Sequence, residues 1–188
     1  MKGSDMKQGL ILVDIQNDYF PGGNLELVGV EQAAKNAGKL LQKFRGEQSP
    51  IIHIQHISQQ PRATFFLPDT QGSEIHESVA PQPDEIIIVK HFPNSFRDTH
   101  LLKYLKDSEI EEVVICGAMS HMCIDATTRA AFDFGFQCVL IEDACATRDL
   151  EYNGKIVKAA EVHGAFMAAL AMPYAKVIST NEFGLVQL

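Results

Sequence analysis

The chain lacks any run of apolar residues approaching the roughly 18 that a membrane-spanning helix needs, which argues against a helical membrane protein. It is also short of positive charge: 16 Lys and Arg stand against 24 Asp and Glu, a net charge of −8. That deficit argues against a nucleic-acid-binding surface and against adhesion to an anionic membrane; it leaves small substrates open. The start, MKGSDMKQG, lacks the apolar centre of a signal peptide, and Met6 is a second candidate start. Cys116, Cys123, Cys138 and Cys145 show neither CxxC spacing nor a histidine pairing suited to zinc. Cys116 and Cys138 lie inside apolar runs and read as core, so a reduced, cytoplasmic setting is expected. No repeat, low-complexity tract or linker divides the 188 residues, which fit one domain, 1–188, with a single large core.

What is present alternates between strands and helices. Residues 9–15 (GLILVDI) are an apolar run broken by one carboxylate, Asp14, which suits a strand buried on both faces of a parallel sheet. Residues 16–23 (QNDYFPGG) are loop, as Pro21, Gly22 and Gly23 demand. Over 30–45, Ala33, Ala34, Ala37, Leu40, Leu41 and Phe44 recur at helical spacing, and Gly46 follows as a stop. Further strands are predicted at 50–56, 85–90, 111–118, 137–141 and 175–179, with helices at 99–107, 119–134 and within 149–172. The polar stretch 57–84 is too long for a mere connector and is expected to be a functional or interface loop. This alternation implies an α/β domain with a parallel sheet and helices on both faces. Ligands in such sheets bind beyond the carboxyl ends of the strands.

That rule sorts the polar residues. Asp14 ends the first strand, Lys90 ends the third and Cys123 follows the fourth, so all three fall on one edge of the sheet. In 119–134 (MSHMCIDATTRAAFDF) a strand has just ended, a turn presents the thiol, and a helix starts there. Free N–H groups and partial positive charge in a first helical turn favour thiolate over thiol. Taken alone, a free cysteine is more often a small buried apolar residue than a catalyst. A carboxylate, an ammonium and a thiol that converge, each costly to bury alone, are harder to explain as structure.

Four stretches carry a resemblance: LVDIQNDYF (12–20), IVKHFPNSF (88–96), CGAMSHMCIDATTRAAFDFGF (116–136) and IEDACA (141–146). Over about 9–179 the chain resembles the isochorismatase-like cysteine hydrolases, the superfamily that includes nicotinamidases and N-carbamoylsarcosine amidohydrolase. The resemblance implies a three-layer α/β/α sandwich around a six-stranded, mainly parallel sheet of order 3-2-1-4-5-6. It also implies a triad. Asp14 would act as general base and then acid, Lys90 would stabilise the anions, and Cys123 would attack to form a thioester. Backbone N–H groups of Met119 and Cys123 would form the oxyanion hole, shaped by a cis peptide at Ala118–Met119. Phe20, Phe96 and His121 match positions near the substrate, while Gln16 and Asp18 are expected to order the loop after the first strand.

Nicotinamidases hold a metal through an Asp-x-His motif after the second strand. Here the stretch is QHIS (55–58), with His56 in place of the Asp and Ser58 in place of the His, so no catalytic metal and no cofactor are expected. Cys123 points to hydrolysis of a C–N bond in a small amide, carbamoyl or ureido compound. The alternatives are a vinyl-ether hydrolase using Asp14 without the thiol, or a non-catalytic small-molecule or redox-sensing module. The partners expected are a small-molecule substrate and further copies of the chain, as a homodimer or homotetramer, without nucleic acid or membrane.

Overall fold

A computed structural model describes residues 6–186, the side chains of residues 185 and 186 excepted. The polar start at 1–5 lies outside the described residues. Six strands, β1 (Gln8–Val13), β2 (Ile51–His56), β3 (Ile86–Lys90), β4 (Glu112–Ala118), β5 (Gln137–Ala146) and β8 (Lys176–Ile178), form one sheet of order β3-β2-β1-β4-β5-β8. Every pairing in it is parallel. This is the order implied by the resemblance, with β8 as the sixth strand. No helix among the described residues is long and apolar enough to cross a membrane.

The sheet is a buried middle layer because its strands are apolar on both faces. In β1, Leu10 and Leu12 belong to one apolar cluster and Ile11 and Val13 to the other. That split is the period-2 alternation of a strand whose two faces are both covered. The first cluster is closed by α1 (Val30–Gly46) through Ala33, Ala37, Leu40 and Phe44, and by Phe183 of α5 (Thr180–Val186). The second is closed by Leu101 and Leu105 of α2 (Leu101–Asp107), Ala131 of α3 (Asp125–Asp133), and Met167 and Leu170 of α4 (Ala159–Leu170).

Two expectations need correction, and two features were not foreseen. The helix predicted over 119–134 is a π-helical turn, Ser120–Ile124, followed by α3. Its cause is the Met119 carbonyl, which accepts from both Met122 N at 3.0 Å and Ile124 N at 3.2 Å. β5 runs on to Ala146 past Glu142 and Asp143, after a register shift against β4 between Ile115 and Gly117. Residues 149–172 contain an antiparallel hairpin, β6 (Leu150–Tyr152) and β7 (Lys155–Val157), before α4 begins. Its turn is Asn153–Gly154, both at positive φ (51° and 70°), the pair favoured in two-residue hairpin loops. Finally, α5 had no periodic signal; Asp143 accepts from Thr180 N and Oγ1, both at 2.7 Å, and so caps its start.

Candidate active site

Three strand ends deliver the triad. Asp14 follows β1 directly and turns away from it with φ at 51°, a left-handed conformation that costs about 1–2 kcal/mol in an L-residue. Its amide still donates to Ile54 O at 3.0 Å, so the turn begins while β1 is held against β2. Lys90 is the last residue of β3, and both Asp14 and Lys90 are fully buried. Cys123 sits in the π-helical turn after β4 and is 4% exposed. Gly117 lets β4 close down on β1: its φ is +126°, and a Cβ there would collide with the Val13 carbonyl. The Ala118–Met119 peptide beside it is cis.

The Lys90 ammonium is the centre of the cluster. Its Nζ lies 2.7 Å from Asp14 Oδ2 and 3.2 Å from Cys123 Sγ. It also lies 2.9 Å from His56 Nδ1 and 3.1 Å from Phe92 O. Burial pulls the Lys90 pKa down, but Asp14 and Cys123 outweigh it and leave it raised, so the group stays cationic. The Cys123 thiol is pushed up, first by burial and then by the Asp14 charge, with Lys90 pulling part of the way back. The thiolate expected from a helix start is therefore not the resting form, because burial wins. His56 is lowered to about 4 by burial, with Asp14 opposing and Lys90 assisting, and its ring is neutral at neutral pH. Neither Asp14 oxygen accepts a well-directed hydrogen bond from the described residues, although Oδ2 pairs with Lys90. An open carboxylate beside a protonated thiol is an arrangement suited to proton transfer.

Aromatic and polar residues wall the cluster. Tyr19 is buried, with its ring 4.6 Å from that of Phe66, and the Phe66 ring lies 5.8 Å from that of His56. Phe65 and Phe66 come from the long stretch 57–84, so this loop does reach the site. It is anchored where Phe66 N donates to Asp18 Oδ2 at 2.6 Å and where Gly72 passes the Asp18 carboxylate too closely for any side chain. Gln16 grips the His56 backbone at both ends: Nε2 donates to His56 O at 2.9 Å and Oε1 accepts from His56 N at 2.8 Å. Gln16 and Asp18 thus order the loop, as expected.

The other predicted contacts are spread more widely. His121 lies in the π-helical turn, and its Nδ1 is 2.7 Å from Thr147 Oγ1. Phe20 stacks on His76, with centroids 3.5 Å apart, in a groove against α1 that also exposes Glu31 and Lys35. Phe96 packs on Phe134 and Phe136 in the cluster that α2, α3 and α4 close. His56, weighed in the sequence only as a replacement for a metal-binding Asp, joins the triad through Lys90. It ends β2 as Lys90 ends β3, so the carboxyl-edge rule would have found it.

The donor atoms of Asp14, His56 and Cys123 lie within 4.8 Å of one another, a spacing compatible with a metal ion. Lys90 Nζ already touches all three. An ion placed there would meet a buried positive charge at contact distance, so these residues do not fit a metal while Lys90 holds its position.

The isochorismatase domain model matches residues 8–182. The uncharacterized isochorismatase family protein YddQ of Bacillus subtilis is 52% identical over 178 residues, covering 95% of this chain and 99% of that one. A nicotinamidase of Acinetobacter baylyi is 29% identical over 181 residues, covering 78% of this chain and 84% of its own. Among solved structures, one from Oleispira antarctica, described as a candidate isochorismatase hydrolase, superposes with a TM-score of 0.91 at 50% identity, covering 97% of this chain and 98% of that one. With the strand order, the family model and a relative that is half identical over nearly its whole length in agreement, this chain belongs to the isochorismatase family of hydrolases.

Proposed function

We propose that the chain acts as a single cysteine-dependent hydrolase domain that cleaves the C–N bond of a small amide, carbamoyl or ureido compound. The observation that carries this reading is the Lys90 ammonium touching both Asp14 Oδ2 and Cys123 Sγ in a buried cluster. Asp14 takes the thiol proton, and the sulfur attacks the carbonyl carbon beside the Lys90 charge. Backbone N–H groups of Met119 and Cys123 receive the oxyanion. As the C–N bond breaks, Asp14 returns the proton to the leaving nitrogen; water then hydrolyses the thioester and restores the thiol. A relative named for a nicotinamide-cleaving activity supports the choice of bond. A vinyl-ether hydrolysis run by Asp14 alone would leave the Lys90–Cys123 contact without a task.

The test is Cys123→Ala against a panel of small amides and ureides, with mass spectrometry of the unmodified protein for an acyl adduct on Cys123. Turnover is expected to fall by about 10⁴-fold or more, and the adduct to sit on Cys123 alone. A folded variant with unchanged turnover would end this reading.

A further inference from the structure

The Lys90 ammonium has three N–H donors and no lone pair. Four acceptors surround it. Three of them, His56 Nδ1 at 2.9 Å, Phe92 O at 3.1 Å and Cys123 Sγ at 3.2 Å, receive directed hydrogen bonds. The fourth, Asp14 Oδ2, is nearest at 2.7 Å but less well directed than the other three among the described residues. Four acceptors therefore compete for three protons, and the carboxylate shares the ammonium instead of commanding it. Since Lys90 can only donate, His56 Nδ1 must accept, and the ring proton of the neutral imidazole must lie on Nε2.

We propose that His56 is a positioning residue: by accepting one Lys90 proton at Nδ1, it keeps that proton off Asp14 and so preserves the carboxylate as a base for the Cys123 thiol. Hydrogen bonds to a carboxylate favour its charged form and lower its basicity. Without an acceptor at position 56, the freed Lys90 N–H turns to the nearest oxygen, Asp14 Oδ2. Asp14 then takes the thiol proton less readily. The ring is well placed for this task. Gln16 fixes its backbone from both sides, and Phe66 lies against its face. Its depressed pKa, about 4, keeps Nδ1 free to accept throughout the neutral range.

The inference deepens the reading of Cys123 as a nucleophile, and its test needs no knowledge of the substrate. Alkylation of Cys123 by iodoacetamide, followed by mass spectrometry across neutral and alkaline pH, reports thiol activation directly. His56→Leu keeps the bulk and removes the acceptor, while His56→Asn returns an acceptor, Oδ1, close to the place of Nδ1. Folding of both is checked by circular dichroism. His56→Leu is expected to alkylate about tenfold more slowly at neutral pH, the size of effect that one hydrogen bond to a charged group carries, and to converge on the unmodified protein at alkaline pH. His56→Asn is expected to stay within about threefold of the unmodified protein, a margin smaller than the loss of one such bond.

Equal rates for His56→Leu and the unmodified protein would overturn the proposal. So would a His56→Asn variant as slow as His56→Leu, since ring shape and not the acceptor would then matter. A variant that loses turnover but alkylates normally would put His56 on the substrate, and would overturn the proposal as well. If instead Cys123→Ala retains turnover, the nucleophile reading fails by itself, and the alkylation series still decides the role of His56.

Discussion

The two ends of β3 carry opposite solutions to the same problem. At its amino end Glu85 is half-buried beside Arg45 and His53; at its carboxyl end Lys90 is buried beside Asp14, Cys123 and His56. Glu85 is fully served: Arg45 Nε and Nη2, His53 Nε2 and the Gln82 amide all donate to it, at 2.6, 2.9, 2.8 and 2.9 Å. Asp14 has the Lys90 ammonium at 2.7 Å, shared with three other acceptors, and no well-directed donor of its own among the described residues. Burial pushes the Glu85 carboxyl up, yet its donors outweigh burial and hold it at about 2. A carboxylate satisfied in this way is a poor base and a good strut. One left open is costly, and the cost is reasonable only where a proton must move.

Substitutions at each end should therefore fail in different ways. The largest effect is expected from Asp14→Asn. Asparagine tolerates the left-handed backbone at φ 51°, so the chain should fold, while turnover drops by about 10³-fold through loss of the base. Steady-state kinetics on any substrate found in the amide panel would measure it, and a loss below tenfold would erase the contrast. Glu85→Gln should do the reverse, leaving kcat and KM unchanged but lowering stability. The fall of the Glu85 pKa from 4.5 to about 2 sets an upper bound of about 3 kcal/mol, which solvent screening at this half-buried site reduces to about 1–2 kcal/mol. Since the folded pKa lies below the unfolded one, that stability is fully present above about pH 4.5 and is lost as pH falls toward 2. Urea unfolding at a series of pH values should show this acid loss in the parent chain and a flatter acid limb in Glu85→Gln.

The contrast also explains which parts of the molecule were legible in the sequence. β1, β2, β3 and β4 announce themselves as apolar runs, and the rule that ligands gather at strand carboxyl ends brings Asp14, Lys90 and Cys123 together before any coordinates. Charge at a strand end is visible in a string of letters; the number of donors around it is not. Glu85 and Lys90 flank the same four residues, and little in the local sequence tells the strut from the base, because Arg45 and His53 on one side and Asp14 and His56 on the other come from distant segments. The π-helical turn at Ser120–Ile124 was hidden for a similar reason: its apolar spacing resembles that of an α-helix, and the choice was made by one carbonyl, Met119 O. The β6–β7 hairpin was overlooked despite its Asn153–Gly154 signal, since its strands are only three residues long and too exposed to show a pattern.

The smallest expected effect sharpens the comparison most, because each end of β3 has its own neutral histidine. His56 uses Nδ1 to accept from Lys90, whereas His53 spends Nε2–H on Glu85 and leaves Nδ1 buried with no partner among the described residues. Burial lowers the His53 pKa and Glu85 partly opposes it, which favours a neutral ring in the strut. His53→Leu would remove one of the four donors to Glu85, a loss of about 1–2 kcal/mol for a bond to a charged acceptor. It would also remove the unpaired nitrogen, whose burial costs a similar amount. The two changes oppose each other, so urea unfolding at neutral pH should shift by no more than about 1 kcal/mol, with turnover and Cys123 alkylation unaffected. A large loss of stability would mean that the His53 bond to Glu85 far outweighs the orphaned nitrogen. A change in alkylation would mean that the two ends of β3 are coupled through the strand, and that the strut helps to set the base.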